Sequence, residues 1–293
     1  LKVFFLVSLY TRWPVSMSAM NKRVVLAEHP SGVVKVDCMR VEEVPVSPPG
    51  DEEVVVEVTL LGLDAFIRTM MDGSAAFHGS TKIGDPLVAF GVGIVTARGA
   101  SVKELEIGQR VTGVLMAQTV ATVPAAKVKA ARDGVSDAEH LHLLGLTTGL
   151  TAWAGVNCVS KRPEAGEVAV VSGAAGGVGS IAAQLCRAAG AKVIGVAGGE
   201  RKVAFLRENL GVDGAVDYKR DIDTQLDELA PDGIDFFFDN AGGEILDAVL
   251  FRLRPGARVV ICGGASQYNG NLGVGTVQGP KNYLKLAERG ASM

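Results

Sequence analysis

The sequence predicts an α/β protein in two parts: a region of short antiparallel strands forming a barrel-like domain, then a doubly wound parallel sheet. Three observations carry this expectation. From 167 to 190, EVAVVSGAAGGVGSIAAQLCRAAG, an apolar strand-like run meets a glycine-rich turn and then a helix-favouring segment that stops at Gly190. Beyond it, apolar runs alternate with helical patterns, which implies parallel strands joined by crossover helices. Before it, β-branched runs are short and bounded by Gly, Pro and Asp, as in an antiparallel barrel.

Residues 1–20 stand apart as an extension. Leu1 to Tyr10 is apolar and Arg12-Trp13-Pro14 interrupts it. A secretory or organellar signal is one reading, with Lys2 ahead of the apolar stretch and Ala19 as a small cleavage residue. The charged region before the run is minimal, so translated upstream sequence with Met17 or Met20 as the start is preferred. The barrel domain is placed at 21–148, with strands at Arg23–Ala27, Val33–Met39 and Glu53–Leu61. Gly84-Asp-Pro86, Gly91-Val-Gly93 and Gly108 to Gly113 punctuate further ones. Leu143 to Asn157 reads as a helix leading into the second domain, 149–293, with Leu150 and Trp153 on its apolar side.

In that second domain the strands are Val168–Val171, Ala191–Ala197, Gly214–Tyr218, Ile234–Asp239 and Ala257–Cys262. Helices are expected from Ser180 to Ala189, from Glu200 to Asn209 ahead of Gly211, and from Gly279 to Arg289.

Composition narrows the function classes. At 293 residues there is room for two cores, and 48% apolar with 21% charged residues is ordinary for a soluble globular protein. A net charge of −3 without a long Lys/Arg run argues against nucleic acid or an acidic membrane surface as partner. No apolar segment approaches the ~20 residues needed to span a bilayer. Cys38, Cys158, Cys186 and Cys262 lie far apart and read as reduced core thiols of a cytoplasmic protein. No metal site is expected, since His140-x-His142 has neither thiolates nor carboxylates at ligand spacing.

The glycine-rich turn is the candidate dinucleotide site. Strand, turn and helix together present unsatisfied helix N-terminal N–H groups to a pyrophosphate, and Gly173, Ala174, Gly176, Gly177, Val178 and Gly179 form that turn. In the G-x-G-x-x-G frame the first glycine is replaced by Ala174. Gly173, Gly177 and Gly179 also fit the short-chain dehydrogenase spacing, which Asn240-Ala-Gly242 mimics. That reading fails, because the turn lies deep in the chain and none of Tyr218, Tyr268 or Tyr283 has a Lys four positions on. The second strand ends in Ala197-Gly198-Gly199 without a carboxylate, and Arg201 and Lys202 follow. This favours a 2′-phosphate, hence NADPH, with Glu200 read as a first-turn helix charge.

LTAWAGV, AVVSGAAGGVGSIAAQLCRAAGAKVIGVAGG, FDNAGG and CGGASQYN together resemble the medium-chain dehydrogenase/reductase superfamily. Within it the chain is most similar to the zinc-free branch of prostaglandin reductases, leukotriene B4 12-hydroxydehydrogenases and alkenal double-bond reductases. The resemblance covers Asn21 to the end. It implies a chaperonin-10-like barrel beside a Rossmann sheet, NADPH as cofactor, and reduction of the C=C bond of α,β-unsaturated carbonyls. It assigns Lys202 and Tyr218 to the 2′-phosphate, Asn240 to the nicotinamide ring, and Tyr268 to catalysis. A phenol there would stabilise the enolate oxygen as hydride reaches the β-carbon.

Several departures bear on the substrate. The family's D-P-Y-M-R segment is Asp64-Ala65-Phe66-Ile67-Arg68 here, so Phe66 is the expected substrate-facing residue and a hydroxyl is missing. Leu115 to Val120 lacks the family's tryptophan, and LGLTTGLTAW is one residue longer. The fold's sixth strand and return to the barrel do not follow Arg289, so a fragment with a bare fifth-strand edge, prone to aggregate, is expected. The full-length form is expected to be a homodimer. Two alternatives stay open: quinone reduction on the same architecture, and a dinucleotide-binding relative that does not catalyse.

Overall fold

A computed structural model describes residues 20–73, 79–270 and 279–293; the expectations for residues 1–19 lie outside them. The chain divides into two compact units, one holding the described residues up to Gly145 and the other those from Leu146 to Tyr268 and from 279 onward.

The N-terminal unit is built from antiparallel strands. In chain order it runs β1 (Met20–Leu26), β2 (Met39–Pro45), β3 (Glu53–Leu61), α1 (Phe66–Met70), β4 (Phe90–Arg98), β5 (Arg110–Val114), β6 (Val120–Pro124), β7 (Val128–Ala130) and α2 (Asp137–Leu141). Among the described residues β1 pairs with β2, and the larger sheet has the order β6-β3-β4-β5-β7. Alternating residues of β3, β4 and β5, including Val54, Val56, Val95 and Val111, form its core. Gly93 is where two backbones come closest, since a Cβ there would lie 2.4 Å from the Glu57 carbonyl oxygen.

One expected strand is not formed. Residues 33–39 make a loop with a single 3-10 turn at Val36–Cys38, and the strand begins only at Met39. Val33 and Val36 are 70% and 82% exposed; Val34 and Cys38 pack beside Leu26, but only Met39 at the end of the run enters a strand pairing. Gly84-Asp-Pro86, expected to punctuate strands, lies between them and makes one isolated bridge, Val25 to Pro86.

The C-terminal unit is a parallel sheet with helices between strands. It comprises α3 (Thr151–Asn157), β8 (Val168–Ser172), α4 (Gly177–Ala188), β9 (Lys192–Ala197), α5 (Glu200–Phe205), β10 (Gly214–Asp217), α6 (Ile222–Leu229), β11 (Ile234–Asp239), α7 (Gly243–Phe251), β12 (Leu253–Ile261) and α8 (Leu284–Arg289). The order β10-β9-β8-β11-β12 is the Rossmann order 3-2-1-4-5. Phe236, Phe237 and Phe238 are all fully buried, which only a strand covered on both faces achieves.

Two helix expectations are corrected. The run 143–157 becomes helical only at Leu146, where a π-helical turn, Leu146–Leu150, runs directly into α3, and Leu150 and Trp153 are about half exposed instead of buried. The buried face of α3 is the small one, Ala152, Gly155 and Val156, because a Cβ on Gly155 would lie 2.5 Å from the Phe238 ring. The expected helix from Glu200 to Asn209 is formed: α5 continues without a break as a π-helical turn, Leu206–Leu210, which Gly211 stops with φ +64°. The last helix is confined to Leu284–Arg289. The fifth-strand edge is not wholly bare: Ser292 pairs in parallel with Arg258, and Val259 N–H donates to the Ser292 carbonyl at 2.8 Å.

Candidate functional site at the carboxyl ends of the parallel strands

β8 leads through α4 to β9 on one side, and β11 leads through α7 to β12 on the other. Right-handed crossovers running in opposite directions part at this point and open a crevice above the carboxyl ends of β8 and β11.

The glycine turn enters that crevice from β8. Gly173 has φ +58°, the Ala174 N–H donates to the Val196 carbonyl at 3.0 Å, and the Gly176 N–H donates to the Gly173 carbonyl at 2.9 Å. Ala174 is fully buried, and its methyl packs over Gly195, whose own Cβ would stand 3.2 Å from it. The alanine in the first glycine position is thus accommodated by a glycine on the next strand. α4 begins three residues earlier than the sequence suggests, taking in Gly177, Val178 and Gly179. A Cβ on Gly179 would lie 2.3 Å from the Gly173 oxygen, so helix and turn can approach this closely only at a glycine. Gly176 is the N-cap and offers no side-chain cap. A helix N-terminus that follows a glycine turn in this way presents main-chain N–H groups of the kind that suit a pyrophosphate, so these residues fit that group.

The end of β9 carries the next group. Gly199 has φ +87° and caps α5, and Arg201 and Lys202 in its first turn are exposed. A Cβ on Gly198 would come within 2.7 Å of the Tyr218 ring, so this glycine makes room for the half-exposed tyrosine. Sequence reasoning missed Asp217 at the end of β10. Its carboxylate accepts from the Gly199 N–H at 2.8 Å and from the Lys219 N–H at 3.1 Å, and these bonds hold its carboxyl below the usual range. Asp217 thereby fastens the Gly198-Gly199 turn. The signal was present in the sequence as a carboxylate beside Tyr218.

The end of β11 carries the third group, with two further residues that went unread, Ser172 and Asp239. Both are fully buried, and Ser172 Oγ donates to Asp239 Oδ1 at 2.7 Å. The Asp239 carboxylate also accepts the Ala241 N–H at 3.0 Å and the Gly242 N–H at 3.0 and 3.1 Å. Burial pushes its carboxyl up, and these hydrogen bonds oppose the shift. Asn240 donates its N–H to Ser172 Oγ at 2.8 Å and its side-chain Nδ2 to the Ser172 carbonyl at 2.7 Å. The Asn240 amide, expected to lie at the nicotinamide, thus also ties the end of β11 to β8. Asn240 and Ala241 carbonyls in turn accept the Ala265 and Ser266 N–H groups at 3.0 Å each. That pair of bonds seats the loop bearing Tyr268, which is half-buried. Tyr268 Oη accepts the Gly264 N–H at 3.3 Å, a bond that leaves the phenol proton unused.

In the N-terminal unit, Phe66 opens α1 and meets Phe90 edge to face, with centroids 6.2 Å apart. His140 Nε2 accepts the Arg132 N–H at 2.8 Å and so serves the fold. Among the described residues no group of three or more His, Cys, Asp and Glu is placed to hold a metal, and no helix is long and apolar enough to cross a membrane.

The fold and the three groups define a dinucleotide-dependent oxidoreductase architecture, and comparison with known proteins gives it a family. Residues 22–131 match the family model described as the N-terminal domain of oxidoreductase, and residues 177–278 that described as zinc-binding dehydrogenase. The chain is 33% identical to the 2-alkenal reductase (NADP(+)-dependent) of Nicotiana tabacum, over 85% of this chain and 74% of that protein. It is 32% identical to the NADPH-dependent curcumin reductase of Escherichia coli, over 85% of this chain and 72% of the relative. Among solved structures it resembles CurA from Vibrio vulnificus, with a TM-score of 0.84 at 30% identity over 93% of this chain and 80% of that one. CurA in complex with NADPH gives 0.80 at 28% identity, with the same coverage. The chain belongs to the medium-chain dehydrogenase/reductase superfamily, in the zinc-free branch that includes prostaglandin, alkenal and curcumin reductases. It is an oxidoreductase.

Proposed function

We propose that this chain is an NADPH-dependent reductase of the C=C bond in α,β-unsaturated aldehydes and ketones. The observation that carries the reading is that the glycine turn, the end of β9 with exposed Arg201 and Lys202, Asn240 and Tyr268 all lie along one edge of one sheet. The similarity to NADP-dependent alkenal and curcumin reductases, and to a structure solved with NADPH, supports the cofactor and the reaction type.

NADPH, when bound, supplies the hydride for the substrate β-carbon. The first turn of α4, with Gly176, Gly177, Val178 and Gly179, holds the pyrophosphate, and Gly173 and Ala174 set the turn's entry. Lys202 and Tyr218, across Gly198, hold the 2′-phosphate. Asn240 lines the nicotinamide end. As hydride arrives at the β-carbon, the electron pair of the C=C bond moves toward the carbonyl oxygen, and the Tyr268 phenol donates a hydrogen bond to the enolate oxygen that forms. Solvent then protonates the α-carbon. Phe66 stands where the family's segment carries a tyrosine, and its apolar ring offers the substrate no hydroxyl.

Loss of NADPH absorbance with a 2-alkenal and with a benzoquinone tests this reading. Turnover of the enal is expected, with Tyr268→Phe lowering kcat by about 100-fold, the usual cost of one oxyanion donor. Turnover of the quinone alone would favour the quinone reductase alternative, and NADPH binding without turnover of either would favour a non-catalytic relative.

A further inference from the structure

The last main-chain partners between β8 and β11 are Val171 and Phe238. At the next position, where the strands part, each carries a fully buried polar side chain, Ser172 on β8 and Asp239 on β11. A buried carboxylate is unfavourable by several kcal/mol unless its oxygens are hydrogen-bonded, and a pair of apolar residues would close the sheet without that penalty. The arrangement therefore calls for a reason beyond packing.

The hydrogen bonds supply one, because they converge on a single short segment. Asp239 takes the N–H groups of Ala241 and Gly242 together with the Ser172 hydroxyl. The Ser172 oxygen accepts the Asn240 N–H at 2.8 Å and the Ala241 N–H at 3.1 Å, and the Ser172 carbonyl takes the Asn240 amide. Asn240 is fixed through both its main chain and its side chain, and the bonds donated by its N–H and by its amide both lead to Ser172. Beyond it, the Asp239 carbonyl accepts the Cys262 and Gly263 N–H groups at 2.8 and 3.1 Å, and the Ala241 carbonyl also accepts Ser266 Oγ at 2.6 Å. Gly263 lies so close to Tyr268 that a Cβ there would stand 2.8 Å from its Oη. One residue in the other direction from Ser172 begins the glycine turn.

We infer that Ser172 is a positioning residue for hydride transfer: paired with Asp239, it sets Asn240 and the Tyr268 loop in place relative to the glycine turn. The inference rests on the reading that the nicotinamide lies beside Asn240 and Tyr268. It separates two parts of cofactor binding. The phosphate cradle is made by main-chain groups that Ser172→Ala leaves intact, whereas the nicotinamide edge loses the acceptor of the Asn240 N–H.

The test compares the wild-type chain with Ser172→Ala by three readouts. These are calorimetric affinity for 2′-phospho-ADP-ribose, which has the phosphates but no nicotinamide; fluorescence anisotropy of the bound NADPH ring; and kcat with a 2-alkenal. The expected result is fragment affinity within about twofold of wild type, a fall in ring anisotropy toward the free value, and kcat lower by about ten- to a hundredfold, the scale of a misplaced reacting group. Should Ser172→Ala not fold, Ser172→Cys fills nearly the same space with a weakly bonding thiol and carries the same expected split. Unchanged anisotropy and kcat, or an equal loss of fragment and NADPH affinity, would overturn the inference. A wild-type chain that binds NADPH but reduces no enal would sink the functional reading alone, since the fragment and fluorescence measurements still decide the role of Ser172.

Discussion

Lys202 projects from the first turn of α5 into solvent, and among the described residues no carboxylate is paired with it. A charge-assisted contact to a phosphate would be partly screened at such an exposed position. Lys202→Ala is therefore expected to weaken NADPH binding by about tenfold and to leave NADH binding nearly unchanged, as titration of cofactor fluorescence would report. Equal effects on both cofactors would show that Lys202 supports the loop instead of reading the phosphate. Glu200, one residue past the N-cap Gly199, occupies the first turn, where a helix dipole favours a negative charge. Asp217 has the opposite character. Its carboxylate is turned onto main-chain N–H groups, so the acidic residue beside this site fastens the turn.

At the scale of elements, the contact between the glycine turn and α4 depends on a missing methyl. Gly179→Ala would set a Cβ 2.3 Å from a main-chain oxygen that cannot swing away. Overpacking of this kind costs about 1–3 kcal/mol, and the turn it displaces is the phosphate cradle. A lower melting temperature together with loss of NADPH binding is expected; wild-type affinity in this variant would show that the helix approach is not needed for the cofactor.

A second element-level link joins the start of β8 to β12. Arg258 donates to both Glu167 carboxylate oxygens at 2.9 and 2.7 Å, and the guanidinium holds the Glu167 carboxyl below its usual value of 4.5. A depressed carboxyl contributes stability that is present above the unfolded value and lost as pH falls through the folded one. The urea midpoint should thus drop as pH is lowered below about 4.5, and Glu167→Gln should flatten that part of the profile. An unchanged acid limb in the variant would assign the loss to other carboxylates.

For the whole molecule, a ligand that binds only the folded chain raises its stability by mass action. NADPH at about one hundred times its dissociation constant should add ~2.7 kcal/mol, a rise of roughly 5–10 °C in melting temperature for a unit of this size. 2′-Phospho-ADP-ribose at the same multiple should produce a comparable shift, since the relation depends on occupancy alone. No shift with either ligand at any concentration would remove the dinucleotide site from this chain.

The sequence by itself determined the α/β class, the parallel sheet and the glycine turn, because period, length and glycine spacing are local properties that neighbouring residues state without help. Ile234–Asp239 is legible as a strand for that reason, and so is the stop at Gly211. Through motifs that resemble a known family it also indicated the cofactor, and it offered Tyr268 and Lys202 as candidates. Tertiary structure decided what local pattern cannot encode. Val33–Met39 reads as a strand, yet only Met39 pairs, with Leu26 of β1, and Leu150 and Trp153 are apolar yet left half exposed, because α3 buries its glycine against Phe238. Ser172 and Asp239 are 67 positions apart and read singly as the ends of two apolar runs. Only the adjacency of β8 and β11 makes them a hydrogen-bonded pair, because burial and partnership belong to the folded sheet and to no window of the sequence.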